Sequence, residues 1–240
     1  AMAVKRKLVS SIRSALEDAG VAKDARPMQA YMKSEMPYRG VKKPARVAAL
    51  KPIFAEASID RYEDLRDTVL ALWRKAKFRE ERYAAIDLLR LRAYRAYLVP
   101  DALPLIEELI VTGAWWDHVD ELAVHAVGPI VKSAPRPMKK TMRRWSKGDD
   151  MWKARTSIIF QLMYKKETDF PLLQACMEPS LDSKEFFLRK AIGWALRNAS
   201  RVDPDWVIAY IEERADRLSG LSKREGLKHL LKAGVVKTIP

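Results

Sequence analysis

Apolar residues recur every three to four positions along most of the chain, and period-two alternation is nearly absent, so the pattern predicts helices throughout. "VKRKLVSSIRSALEDAG", from Val4, sets Leu8, Ile12 and Leu16 on one stripe and stops at Gly20. "SIDRYEDLRDTVLALWRKA" opens on Ser58, a candidate N-cap, and carries Leu65, Val69 and Leu72 on one face. "SKEFFLRKAIGWALRNA" opens on Ser183 and places Phe187, Ala191 and Trp194 along one side. The run "LIVT" at 109–112 is too short for a strand in helical surroundings. Breaks are expected at Pro27, Pro37, Gly40, Pro100, Gly113, Pro135, Pro137, Gly148, Pro179, Pro204, Gly220 and Gly234. Pro52, inside a helical pattern, predicts a kink or a boundary. Roughly a dozen short helices result, of a length ordinary for globular proteins.

So many short helices prompt a search for repeats. "RVAAL" from Arg46, "RYAAI" from Arg82, "RTSII" from Arg155, "KAIGW" from Lys190 and "REGLK" from Arg224 align without gaps. Their starts fall at intervals near 35 residues, except for a double interval between Arg82 and Arg155, where "DELAV" from Asp120 fits the missing slot. That period, with two helices per unit, matches HEAT-like or TPR-like repeats. The predicted fold is therefore all-α: a single domain over residues 1–240, a curved α-solenoid of about six two-helix repeats with a concave cationic groove. Ala1 ahead of Met2 reads as an expression-tag remnant.

Charge narrows the function. Lys and Arg number 45 against 31 Asp and Glu, a formal net charge of +14, which favours a polyanionic partner. An anionic membrane fits less well, since no segment pairs a polybasic face with a large insertable apolar face, and no apolar run approaches bilayer length. A single cysteine, Cys176, rules out an internal disulfide and fits a reducing compartment, so a cytoplasmic location is expected. His118, His125 and His229 with Cys176 form no metal-ligand cluster, and no Gly-rich phosphate loop, serine elbow or Cys–His motif occurs, so neither cofactor nor metal is expected. "KKTMRR" at 139–144 reads as a solvated helix face that could contact phosphates.

A row of Arg46, Arg82, Arg155, Lys190 and Arg224 would track a phosphate backbone, and Asp120 interrupts it. An ion pair with Arg155 or a neighbouring cation is the plain explanation for such a carboxylate. Its company suggests more: Trp116 lies one helical turn before Asp120 on the same face, and Trp194 follows Lys190 by four residues. Trp73, Trp145 and Trp206 read as core, and Trp115 as packing. A carboxylate between indole faces suits a transient cation, such as the oxocarbenium-like sugar formed when a purine leaves deoxyribose. At about 4 Å and an effective dielectric near 20 the attraction is on the order of 4 kcal/mol, about a thousandfold in rate. The same carboxylate could orient or deprotonate water.

"ELIVTGAWWDHVDEL", "SIIFQLMYK", "DSKEFFLRKAIGWALR" and "LSKREGLKH" together resemble the AlkD-type DNA glycosylases, HEAT-like-repeat enzymes of alkylated-base repair. The similarity runs in order from "MQAYMKSEM" at 28–36 to residue 229. It implies hydrolysis of the N-glycosidic bond of N3- or N7-alkylated purines in double-stranded DNA, without flipping the base. The lesion is cationic and departs neutral, so a general acid is dispensable. By the resemblance the catalytic aspartate falls on Asp120, the sugar-facing tryptophans on Trp116 and Trp194, the active-site arginine on Arg155 and a DNA-contacting tyrosine on Tyr31. Arg197 matches a basic position expected to touch phosphate. Lys42 and Lys43, in "RGVKKPAR", stand where the family pattern suggests uncharged polar residues, which implies stronger phosphate binding.

The expectation is thus a monofunctional alkylpurine DNA glycosylase, monomeric, cytoplasmic and nucleoid-associated, leaving an abasic product. Bulky drug–purine adducts in antibiotic self-resistance are an alternative substrate. The rival class is a noncatalytic helical-repeat scaffold binding DNA or an acidic protein. It predicts binding without base release.

Overall fold

A computed structural model of the chain describes residues 4–240, so the expectation for Ala1 lies outside the described residues. Fourteen α-helices are present among them, with short 3-10 turns and one π turn, and no strand. They are α1 (Arg6–Ala19), α2 (Ala22–Met32), α3 (Lys43–Glu56), α4 (Tyr62–Arg74), α5 (Arg79–Leu89), α6 (Leu103–Gly113), α7 (Trp116–Leu122) and α8 (Gly128–Ser133). After them come α9 (Pro135–Lys147), α10 (Met151–Ile159), α11 (Phe170–Met177), α12 (Phe186–Ala199), α13 (Pro204–Glu213) and α14 (Gly220–Lys232). The chain divides into two compact units, the first ending at Leu98 and the second running from Val99 to Pro240.

The first unit is built on the predicted stripes. Ile12 and Leu16 of α1 and Leu65, Val69 and Leu72 of α4 are fully buried, while Val9 takes the inward place expected for half-buried Leu8. Two boundaries differ from expectation, those at Ser58 and Pro27, while Pro52, expected at a kink or a boundary, is not a boundary. Ser58 does not cap α4, which starts at Tyr62 with Glu63 and Asp64 at the positive end of its dipole. Neither Pro27 nor Pro52 ends a helix: both sit inside α2 and α3. Each proline removes one backbone hydrogen bond, and the neighbouring bonds hold the helix across the gap.

Before α3, Gly40 adopts φ +84°, and a Cβ there would lie 2.0 Å from the Val21 carbonyl oxygen, so no other residue fits. The fully buried Glu80 carboxylate braces this turn, accepting from the backbone N–H of Arg39 at 2.9 Å and of Val41 at 2.8 Å. The turn delivers Lys42 and Lys43 to the exposed start of α3.

In the second unit the helical repeat is written in its side-chain bridges. Arg155 reaches Asp120 and Lys190 reaches Glu225, each across 35 residues. Asn198 donates to the Leu162 carbonyl and Tyr164 to the Gly128 carbonyl, each across 36. Successive repeats therefore meet in a constant register, which is what stacking of like units requires. α12 begins at Phe186 instead of Ser183, whose hydroxyl accepts from the Glu185 N–H just ahead of the helix. α12 and α14 approach closely at Gly193, where a Cβ would stand 2.6 Å from Glu225 Cβ. Leu188, Ala191, Ile192 and Leu196 of α12 enter a core shared with Ile158, Ile159, Leu173, Met177, Val207, Ile211 and Leu227.

Candidate active site and DNA interface

The site starts where α6 stops. Ala114 takes the left-handed conformation at φ 41° and Trp115 is extended, so the chain turns and α7 begins at Trp116. One turn later comes Asp120. The helical path then widens into a π turn at Ala123–Val127 before α8. Pro129 accounts for the widening: in an α-helix its ring would press on the His125 carbonyl, four residues back. Such single π turns concentrate at functional positions, and the sequence reading passed over this proline.

Asp120 is gripped by Arg155 of α10. Arg155 donates from Nε to Oδ1 at 2.9 Å and from Nη2 to Oδ2 at 3.0 Å, a bidentate pair. Its Nη1 donates to the backbone carbonyl of Phe187 at 2.6 Å. The Arg155 side chain is 4% exposed and that of Asp120 17%. Burial pushes the Asp120 carboxyl above its ordinary pKa, while Arg155 pulls it back, and Glu121 and Asp117 add to the rise. The guanidinium carbon lies 5.9 Å from the Trp194 ring centre and 5.8 Å from that of Phe187. Behind them Trp115, Trp152 and Phe187 form a cluster with centroids 4.8–6.0 Å apart. Trp115 is packing, as expected, and Trp116 and Trp194 are half-buried. The unit thus holds a nearly dry ion pair, open only at the carboxylate edge, against an aromatic wall.

The model for DNA alkylation repair enzymes matches the chain over residues 12–230. The protein belongs to this family. A solved structure of a predicted DNA alkylation repair enzyme from Enterococcus faecalis is similar to it, with 31% identity and a TM-score of 0.72, over 88% of this chain and 96% of that one. No curated protein matches the chain.

In this DNA alkylation repair enzyme the expected row of cations is largely occupied by partners. Within the second unit Lys190 Nζ lies 2.9 Å from one oxygen of Glu225 and Arg197 Nη1 3.2 Å from the other. Glu225, not Arg224, is thus the residue that meets Lys190, and Arg224 stands exposed one place away, over Gly220. The five-residue alignment found the right helices but missed this partner by one position. Within the first unit Arg46 pairs with Asp87 at 2.7 Å, and Arg82 lies 4.8 Å over the Trp73 ring. Tyr31 is 74% exposed on α2. Lys42 stays exposed with Asp24 only 3.9 Å away, and Lys43 is exposed. A residue one period from a cation was the available signal for Glu225. Nothing local marked the Phe187 carbonyl. No helix among the described residues is long and apolar enough to cross a membrane.

Proposed function

We propose that this repair enzyme is a monofunctional DNA glycosylase that hydrolyses the N-glycosidic bond of N3- or N7-alkylated purines in duplex DNA. The observation that carries the reading is the Asp120–Arg155 pair, with its carboxylate side chain 17% exposed. Arg155 takes one lone pair of each carboxylate oxygen and leaves the others for a sugar or a water. A carboxylate stripped of most of its water and fixed in place needs little reorganisation when positive charge develops on a sugar. Trp116 and Trp194 would line the sugar's approach, their faces adding a weaker attraction for the same charge.

A cationic base leaves without protonation, so the chemistry asked of the site is to stabilise the sugar and direct water. Asp120 serves both and Arg155 holds it. Tyr31, Lys42, Lys43, Arg46, Arg82, Lys190, Arg197 and Arg224 would contact the duplex, several exchanging a protein carboxylate for phosphate. The double-helical substrate needs no base extrusion in this reading, because the groups act on the sugar and not in a base pocket. The test is release of free base from a duplex carrying N7-methylguanine. Asp120→Asn should slow release on the order of a thousandfold, equivalent to about 4 kcal/mol. Release that survives the substitution removes Asp120 from the mechanism, and no release by the native protein removes the activity.

A further inference from the structure

α9 carries a feature that the Asp120 site does not use. Its thirteen residues, PRPMKKTMRRWSK, hold six cations and no acid. One face is core: Met138, Met142 and Trp145 are buried, and Trp145 faces α10, where Lys153 Nζ lies 5.0 Å over its ring. The opposite face is Arg136, Lys140, Arg143, Arg144 and Lys147, all exposed. At 3.6 residues per turn these five fall within an arc of about 100°. Lys139, at the arc's edge, is tied to Asp169 at 2.8 Å. Arg143 also lowers the pKa of Asp169 without pairing to it. Among the described residues none of the five stripe cations has an ion-pair partner, in contrast with Arg46, Arg155, Lys190 and Arg197.

Such a stripe works against folding. Arg136–Lys140, Lys140–Arg144 and Arg143–Lys147 are like charges one turn apart, an arrangement that destabilises a helix. A partner that neutralises the stripe relieves this repulsion. The stripe runs about 16 Å along the helix axis, close to five base-pair steps of a duplex. It presents charge of one sign with no aromatic or aliphatic anchor between the cations. That suits a phosphate backbone and not a protein interface, which needs an apolar centre. It does not suit a bilayer, because the insertable residues of α9 face the core.

We propose that the outer face of α9 is a second duplex-DNA-binding surface, reading phosphate only and pointing away from α10, the helix that supplies Arg155. Through it the enzyme holds a DNA segment other than the one at Asp120. This proposal does not depend on the glycosylase reading.

The test compares the native protein with a variant carrying Arg136→Gln, Lys140→Gln, Arg143→Gln, Arg144→Gln and Lys147→Gln. Among the described residues no ion pair is lost in this variant, and relief of the like-charge pairs keeps its melting temperature at or above the native one. Salt titration of binding to an undamaged duplex should give a log–log slope shallower by about 2–4, at roughly 0.9 per phosphate contact. Energy transfer between short donor- and acceptor-labelled duplexes mixed with native protein should report two duplexes on one molecule, and should vanish with the variant. Native protein that brings no two duplexes together, or a variant with an unchanged slope, overturns the proposal. So does a variant that keeps both DNA readouts and loses only binding to phosphatidylserine vesicles. Base release from a short alkylated duplex at saturating protein should be unchanged in the variant, and a loss there would place α9 in the repair site itself. If native protein releases no base, the glycosylase reading fails while slope and transfer still decide this one.

Discussion

Arg155 joins two helices through one guanidinium: it holds both oxygens of Asp120 on α7 and, through Nη1, the backbone carbonyl of Phe187 on α12 at 2.6 Å. The carboxylate is therefore positioned by a planar fork whose third contact is itself fixed by a helix start. That arrangement makes the arginine hard to replace.

Arg155→Lys keeps the charge and loses the fork. A lysine ammonium is a point donor on a flexible stem, and it cannot hold two carboxylate oxygens and a carbonyl in one plane. Base release should fall on the order of 100-fold through misplacement of Asp120. The Phe187 carbonyl, left without its donor, should cost about 1–3 kcal/mol of stability. Single-turnover kinetics and urea unfolding read the two effects separately.

The acid limb of the reaction should report Asp120. Burial holds its carboxyl above the usual value, so the single-turnover rate should fall with decreasing pH at a point above the ordinary aspartate range near 3.9. The stability linkage has the opposite sense. A raised native pKa gives a contribution fully present below about 3.9 and lost as pH rises through the native value. A pH–rate profile whose limb lies at or below the ordinary range would contradict this account.

Glu225 restrains Lys190 and Arg197, two cations proposed to engage duplex DNA. Its carboxyl is held below the usual range, chiefly by the hydrogen bond from Lys190, and Arg197 adds to the effect. Glu225→Gln should free both for phosphate, tightening non-specific binding and steepening the log–log salt slope by up to about 1.8. Fluorescence anisotropy across a salt series measures it.

Gly193→Ala places a methyl group 2.6 Å from Glu225 Cβ and 3.3 Å from Ser222 Cα. Because those atoms belong to α14 and not to a flexible tip, the helices must separate. Overpacking of this kind costs about 1–3 kcal/mol. In a protein of this size each kcal/mol lowers the melting temperature by about 2–4 °C, within reach of calorimetry.

Two of the places where sequence and structure part company, both at helix starts, share a cause. Leu65, Val69 and Leu72 could be placed in the core from spacing alone, because burial of a helical stripe is periodic and local. Ser58 and Ser183 looked like caps for the same local reason, yet the helices begin at Tyr62 and Phe186. A cap depends on where the preceding loop must run, which packing sets.

The sequence by itself determined the helices, the repeat near 35 residues and the residues that carry the family resemblance, because periodicity and charge are properties of the chain. It also put Asp120 and Arg155 in equivalent positions of successive repeats. Only the tertiary structure decided that these two are locked together against Phe187, that Glu225 occupies Lys190 and Arg197, and that among the described residues the stripe on α9 forms no ion pair. Which charges cancel depends on distances of a few ångströms between helices far apart in the chain, and such distances are fixed by core packing.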